Sequence, residues 1–239
     1  MKFSVVIPAL NEEKYIGILL MCLTNQTLKD FEVIVVDGGS KDKTKEVVSS
    51  FSDRLRINIV DSPNGNVSKS RNKGALASYF DHLIFFDADI LIEDDFIEKL
   101  SNSLSKKDSD FLNCWYAPLS NRLDDRFYGS FLNIYSEVLK SFAPVVMGVF
   151  MCVHKDAFNK VGGFDESMHF LEDVDLYRRL HKAGFTYKLL RDPKIIYSVR
   201  RSDSESRFVT VMKAVGGNIM LAFGMKRVLQ KLVSHEVLN

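Results

Sequence analysis

Four short apolar runs, each followed by a segment of different period, fill residues 4–89 and leave few folds open. "SVVIPAL" (4–10), "EVIVVDGGS" (32–40), "RINIVDS" (56–62) and "HLIFFDAD" (82–89) are nearly continuous in Val, Ile, Leu and Phe. Strands buried on both faces of a parallel sheet read this way. Between them lie "NEEKYIGILLMCLTNQT", with Ile16, Leu19, Leu20 and Leu23 on one helical face, then "KDKTKEVVSSFS" and "NVSKSRNKGALASYF". Strands that alternate with helices need crossover connections, and right-handed crossovers produce an open α/β sheet.

The second half is less regular. "DFLNCWYAP" and "VVMGVFMCVHK" read as strands and "DRFYGSFLNIYSEVLKSF" as a helix. "EDVDLYRRLHKAG" is a helix that is acidic in its first turn, basic later and closed by Gly184, as the helix dipole and a glycine C-cap favour. Residues 206–235 read as amphipathic helices broken near Gly216–Gly217. A net charge of +1 argues against a nucleic-acid partner. From Tyr177 onward, however, thirteen Lys/Arg face four Asp/Glu, which suits an anionic ligand or a membrane surface. Three scattered cysteines without a CxxC predict neither a zinc site nor a disulfide framework. Met1 runs straight into a strand-like segment, and "FAPVVMGVFMCV" is too short to span a bilayer. The expectation is a cytoplasmic protein, with peripheral contact on the inner face of a membrane through its tail.

Ligands of open α/β sheets bind beyond the carboxyl ends of the strands. Here those ends deliver Asn11 and Glu12, Asp37, Arg71 and Asn72 on the third following helix, and Asp87 with Asp89. Singly each has a capping explanation; together they predict a site. In extended chain Asp87 and Asp89 would project from one face. Two carboxylates so placed suit Mg²⁺ or Mn²⁺, completed by substrate phosphates. Asp95 and Glu98 have the spacing of a capping box, Glu93 and Asp94 lie near that helix start, and Asp81 sits at the opposite end of the strand.

In this order, "VVIPALNEEKYI", "IVVDGGSKDKT", "SRNKGA", "FFDAD" and "FLEDVDLYRRL" resemble the GT-A glycosyltransferases of family 2, over residues 3–201. These are inverting enzymes of the hexosyltransferase type that use nucleotide-diphospho-sugars. The resemblance implies a GT-A domain over 1–205, with a nucleotide-binding half (1–110) and an acceptor-binding half (111–205), then a helical tail (206–239). It implies a nucleoside pocket at Pro8, Ala9 and Glu12, a base-binding Asp37, and close backbone approach at Gly38 and Gly39. Arg71 would reach the nucleotide, Asp89 would ligate Mn²⁺ or Mg²⁺, and Asp87 would hold the ribose or assist the metal. Asp173 corresponds to the general base and Glu172 to its neighbour, which orients it or lines the acceptor pocket. Arg200 and Arg201, in "YSVRRS", would cover the diphosphate of a UDP- or GDP-sugar. Tyr197 and Ser198 stand where some relatives carry a metal-binding histidine. His154 and His169 read as ordinary polar residues, and Trp115 as either an acceptor-stacking or a rim tryptophan.

A haloacid-dehalogenase reading would want Thr or Val where this chain has Leu91, and its DxD would end the first strand. No GxGxxG supports a dinucleotide fold. A non-catalytic nucleotide-sugar-binding module would keep Asp37 but lose Asp89 or Asp173, and all are present. The intact acidic pair leans towards a hydroxyl acceptor, on a glycan or lipid-linked molecule, over an already ionised polyprenyl phosphate. The tail "FVTVMKAVGGNIMLAFGMKRVLQKLV" suits a membrane surface, packing on its own sheet, or a homodimer contact.

Overall fold

The computed structural model describes residues 1–63, 66–105, 109–140, 148–197, 207–226 and 228–230. The predicted alternation is present. Strands β1 (Phe3–Ala9), β2 (Phe31–Asp37), β3 (Ile57–Asp61) and β4 (His82–Phe86) pair in parallel, separated by α1 (Ile16–Asn25), α2 (Thr44–Ser49) and α3 (Val67–Ala77). Short β5 (Ile90–Leu91) and α4 (Phe96–Leu104) follow. The second half adds β6 (Phe111–Pro118), α5 (Leu123–Leu139), β7 (Phe150–His154), α6 (Lys155–Lys160), α7 (Glu172–Lys182), β8 (Tyr187–Tyr197) and α8 (Arg207–Ala222). All eight strands form one sheet, ordered β3-β2-β1-β4-β7-β6-β8-β5. β7 runs antiparallel to both β4 and β6, so the parallel first half passes into a mixed second half without a break.

Both faces of the sheet are covered, which explains the unbroken apolar strands. Val5 and Ile7 of β1 join Ile16, Leu19, Leu20 and Leu23 of α1 and the apolar side of α4. Their neighbour Val6 points the other way, into the core made with α3, α6 and α7. Successive side chains of a strand alternate between faces, so one run of Val and Ile feeds two cores. The register also sets the rim: Ala9 lies beside Asp37, and Asp37 beside Asp61. The strand ends named in the sequence therefore do meet.

Several boundaries differ for identifiable reasons. α1 starts at Ile16 instead of Asn11, because Asn11 adopts a left-handed φ of 55° and the Glu12 amide donates to the Thr44 hydroxyl (2.8 Å). The chain turns between β4 and β5, so Asp87 and Asp89 are not on one extended face as predicted. The capping box is absent. Asp95 occupies the N-cap of α4 without a capping bond and pairs with Lys99 (3.1 Å), and Glu98 accepts from the Thr27 hydroxyl (2.7 Å). The cap comes from Gln26 instead, whose side-chain oxygen accepts from the Ile97 amide (2.9 Å). α8 continues through Gly216–Gly217, and the turn falls at Gly224, with a φ of 73°. Gly217 serves close approach, since a Cβ there would stand 2.5 Å from Leu171 Cδ1. Residues 145–147 of the predicted strand before Gly148 lie outside the described residues. Among the described residues no helix is long and apolar enough to cross a membrane.

Two glycines test this packing. At Gly74 a Cβ would overlap Val6 Cγ1 and stand 3.0 Å from Val36 Cγ2, whereas at Gly216 it would meet nothing within 4 Å. In urea unfolding, Gly74→Ala is expected to lose about 1–3 kcal/mol by overpacking. Gly216→Ala should gain up to about 1 kcal/mol through helix propensity. Equal behaviour of the two would contradict the packing of α3 on the sheet.

Candidate active site

A cavity of about 670 Å³ opens at the carboxyl rim of the parallel strands. Its floor begins where β1 ends, at Pro8, Ala9, Leu10 and Glu12. Two loops are stapled together there. The Asn11 amide donates to the Ser40 hydroxyl (2.9 Å), and the Asn11 side-chain oxygen accepts from the Lys41 amide (2.9 Å). Asp37 shapes the second loop from within. It is buried, and its Oδ2 accepts the amides of Gly39 and Ser40, each at 3.1 Å, with Lys45 at 3.5 Å. Desolvation pushes its carboxyl up, but the Ser40 and Gly39 hydrogen bonds and the Lys45 charge outweigh it and hold it below the usual carboxylate range. Gly39 takes a φ of 95°, a conformation glycine adopts without a steric penalty. Gly38 lines the cavity, with Asp37 and Gly39 one residue away on either side of it.

Arg71 is the centre of the site. The guanidinium is 2% exposed and bonds across three separate segments. Nη1 donates to Glu172 (2.8 Å), and Nη2 donates to Asp87 (3.0 Å) and to the Gly148 carbonyl (2.9 Å). Its face packs over the Phe164 ring at 5.3 Å. Desolvation opposes its charge, but Asp87, Glu172 and Asp173 together keep it firmly protonated. Nη1 and Nη2 are thus bonded to two carboxylates and a backbone carbonyl, while the residue lines the cavity at the same time.

Asp173 lies in the first turn of α7, whose N-cap, Leu171, has a left-handed φ of 56°. For a branched side chain that backbone is uncommon and characteristic of constrained functional segments. Asp173 Oδ1 accepts the Val174 amide (2.8 Å), and a Cβ at Gly148 would stand 3.0 Å from its Oδ2. A side chain at position 148 would therefore crowd the carboxylate. Burial first, then the neighbouring Glu172 charge, push the Asp173 carboxyl up to about 7, although Arg71 pulls the other way.

The fold thus brings Pro8, Ala9, Glu12, Arg71, Asp87, Glu172 and Asp173 to one cavity. Asp89 is buried beyond the turn from Asp87 and does not line the cavity. Among the described residues no group of three or more His, Cys, Asp or Glu is placed to hold a metal ion. A hard divalent ion held by Asp87 and Asp89 would need phosphate oxygens to complete its shell. Arg200, Arg201 and Ser198 lie outside the described residues. Tyr197 is buried at the end of β8, beside Ile90. His154 caps α6, accepting from the Asp156 amide (3.3 Å), whereas His169 lines the cavity. Trp115 lies under the Arg191 guanidinium (5.2 Å), outside the cavity lining.

Sequence reading missed one wall altogether. Tyr128, Phe131, Leu132, Tyr135 and Ser136 of α5 face the cavity, with Val215 and Asn218 of α8 nearby. The spacing 128, 131, 135 was a visible helical stripe, but nothing local says which helical face meets a ligand. Gly148 gave no signal, because its role depends on where the chain returns.

The sequence profile described as "Glycosyl transferase family 2" matches residues 4–162. Glycosyltransferase AglE of Haloferax volcanii is 31% identical over 196 residues, covering 79% of this chain, and this chain spans 64% of that protein's length. S. aureus TarS residues 1–349, solved with UDP-GlcNAc, superposes with a TM-score of 0.68 at 22% identity, covering 92% of this chain and 67% of that one. The mannosyltransferase PcManGT from Pyrobaculum calidifontis, solved with GDP-Man and Mn²⁺, gives 0.69 at 19% identity, covering 83% and 57%. Those two likenesses establish the α/β fold, with its mostly parallel mixed sheet. The profile match covers most of the chain and includes the β1, β2 and β4 rim, and by it this chain belongs to glycosyl transferase family 2.

Proposed function

We propose that this chain transfers a sugar from a nucleotide-diphospho-sugar to an acceptor hydroxyl, with inversion at C1 and Asp173 as general base. The observation that carries the reading is the buried Asp173 carboxyl, pushed up to about 7 at a cavity shared with Arg71 and Asp87. A base with that affinity holds and releases a proton near neutral pH. Asp173 takes the acceptor's hydroxyl proton as that oxygen forms its bond to C1. The C1–oxygen bond to the diphosphate breaks on the opposite face, and its electron pair leaves with the nucleoside diphosphate.

The remaining roles are those the motif resemblance implies. Pro8, Ala9, Glu12 and the Asp37–Gly39 turn would receive the nucleoside, and Arg200 and Arg201 would cover the diphosphate. Asp89 and Asp87 are the residues to hold a divalent ion, Mn²⁺ or Mg²⁺, whose chemistry when bound is neutralisation of the departing diphosphate. Relatives of this fold solved with UDP-GlcNAc, and with GDP-Man and Mn²⁺, favour UDP- or GDP-sugars. The second reading, a polyprenyl-phosphate acceptor, needs no base and leaves the buried Asp173 without a task.

Thermal-shift assays with UDP- and GDP-sugars, with Mn²⁺, Mg²⁺ or EDTA, test the donor side. A donor at a hundred times its Kd stabilises by about 2.7 kcal/mol. Asp89→Asn should lose the metal-dependent part of that shift, and silence with every donor and metal would overturn the proposal.

Asp173→Asn should keep the donor shift while transfer falls roughly 10²–10⁴-fold. Wild-type turnover in that variant would remove Asp173 as base. The pH dependence carries a sign. Folding raises this carboxyl from 3.8 to about 7, so the folded chain keeps a proton that the unfolded chain has released. Stability should therefore fall as pH rises from 3.8 towards about 7, and kcat/KM should rise as the carboxylate forms. Asp173→Asn should flatten that part of the stability profile, as read by urea titrations across the range.

A further inference from the structure

α5 is built inside out. Its protein-facing residues are Asp125, Gly129, Leu132, Asn133 and Ser136, of which only Leu132 is a large apolar side chain. The opposite face exposes Leu123 (70%), Phe127 (74%), Phe131 (43%), Ile134 (61%) and Val138 (65%). At 100° per residue these five fall within an arc of about 80° and run for about 22 Å along the helix. A surface helix normally turns such a stripe towards the core. Here the polar side is fastened inward. Asn133 exchanges two hydrogen bonds with the Tyr116 backbone, both 2.9 Å, and Asp125 accepts from the Ser120 hydroxyl (2.5 Å). Gly129 allows close approach to Pro118, whose Cδ would stand 3.1 Å from an added Cβ. Rotating α5 to hide its stripe would break all of these contacts.

We propose that this stripe docks the protein on an anionic bilayer and delivers a lipid-linked acceptor into the cavity. The apolar surface is continuous with the site. Phe131 belongs to both the stripe and the cavity lining, and Tyr128 and Tyr135 extend that wall. α8 packs against α5 and adds exposed Met212 and Ile219, with exposed Phe223 just past its end. The charges around the stripe fit anionic headgroups. Asp124 is paired with Arg122 (2.7 Å), and Glu137 with Lys140 (2.7 Å) and Arg191 (3.1 Å), while Asp125 is buried. With Asp125 in the core, the described charges at the stripe are four basic, Arg122, exposed Arg126, Lys140 and Arg191, against two acidic, Asp124 and Glu137. Apolar area joined to a basic surround is the combination that holds proteins at acidic membrane interfaces. The acceptor class rests on the proposed transfer reaction; the docking itself does not.

The test is co-sedimentation of the full chain with phosphatidylcholine vesicles, with and without phosphatidylglycerol, for wild type and the Phe127→Ser/Ile134→Ser double variant. Neither residue lines the cavity. Wild type should bind the phosphatidylglycerol vesicles in a salt-sensitive manner. The double variant should bind at least about tenfold more weakly, since two large side chains no longer insert, while its donor-induced thermal shift is unchanged. Equal binding by the two proteins overturns the proposal. So does a wild-type dimer in light scattering that the substitutions dissociate while neither protein binds vesicles, since the occupant is then a second copy. Phe127→Trp gives a check that does not rely on a weakened variant: brominated lipid should quench its emission, and unquenched emission counts against docking. Vesicle binding without any donor shift would sink the transfer reading and leave docking standing. A donor shift without vesicle binding would do the reverse.

Discussion

One buried guanidinium sets the geometry of this protein's polar rim. Arg71 reaches from α3 to Asp87 after β4, to Glu172 at the head of α7, and to the carbonyl of Gly148. A buried ion pair left half-made costs roughly 3–5 kcal/mol, so these segments are held to one mutual arrangement. Asp173 sits inside that arrangement. Its neighbour Glu172 is paired with Arg71, while burial raises its own carboxyl. The same contact that ties these segments together thus also moderates the proton affinity of the residue proposed as base, against the upward push of burial and Glu172.

The first half of the fold was legible because both its cores draw on the same strands. Runs such as "VVI" and "VIVV" have few places to go except the middle of a covered sheet, and the rim residues follow from the strand ends. Failures arose where distant groups decided local structure. Gln26, not Asp95, caps α4, and Thr44 holds the Glu12 amide back from helix α1. The sequence pattern at Asp87 and Asp89 implied extended chain, whereas the strand turns there into β5. At Gly216–Gly217 a pair of glycines looked like a break, but one of them admits Leu171 against an unbroken helix.

The site draws its two sides from different physics. The β1–β2 side is polar backbone, with loops tied by Asn11, Ser40 and the caged carboxylate of Asp37. The α5 side is aromatic, mounted on a helix whose polar residues are spent on β6. Rules that look for apolar residues inside assign that helix the wrong face. The bonds that fix it are side chain to backbone, and such bonds leave little trace in a hydropathy pattern.

Gly74 gives α3 a mechanical meaning. The helix rests on Val6 and Val36 with no side chain between, one turn after Arg71. α3 is therefore a datum surface, and the position of the guanidinium is measured from the sheet itself. The tolerance of the charge cluster is that of two valine methyl groups packed beneath a glycine. Electrostatic alignment at the rim is in this sense inherited from core volume, and the residues that guarantee it carry no charge.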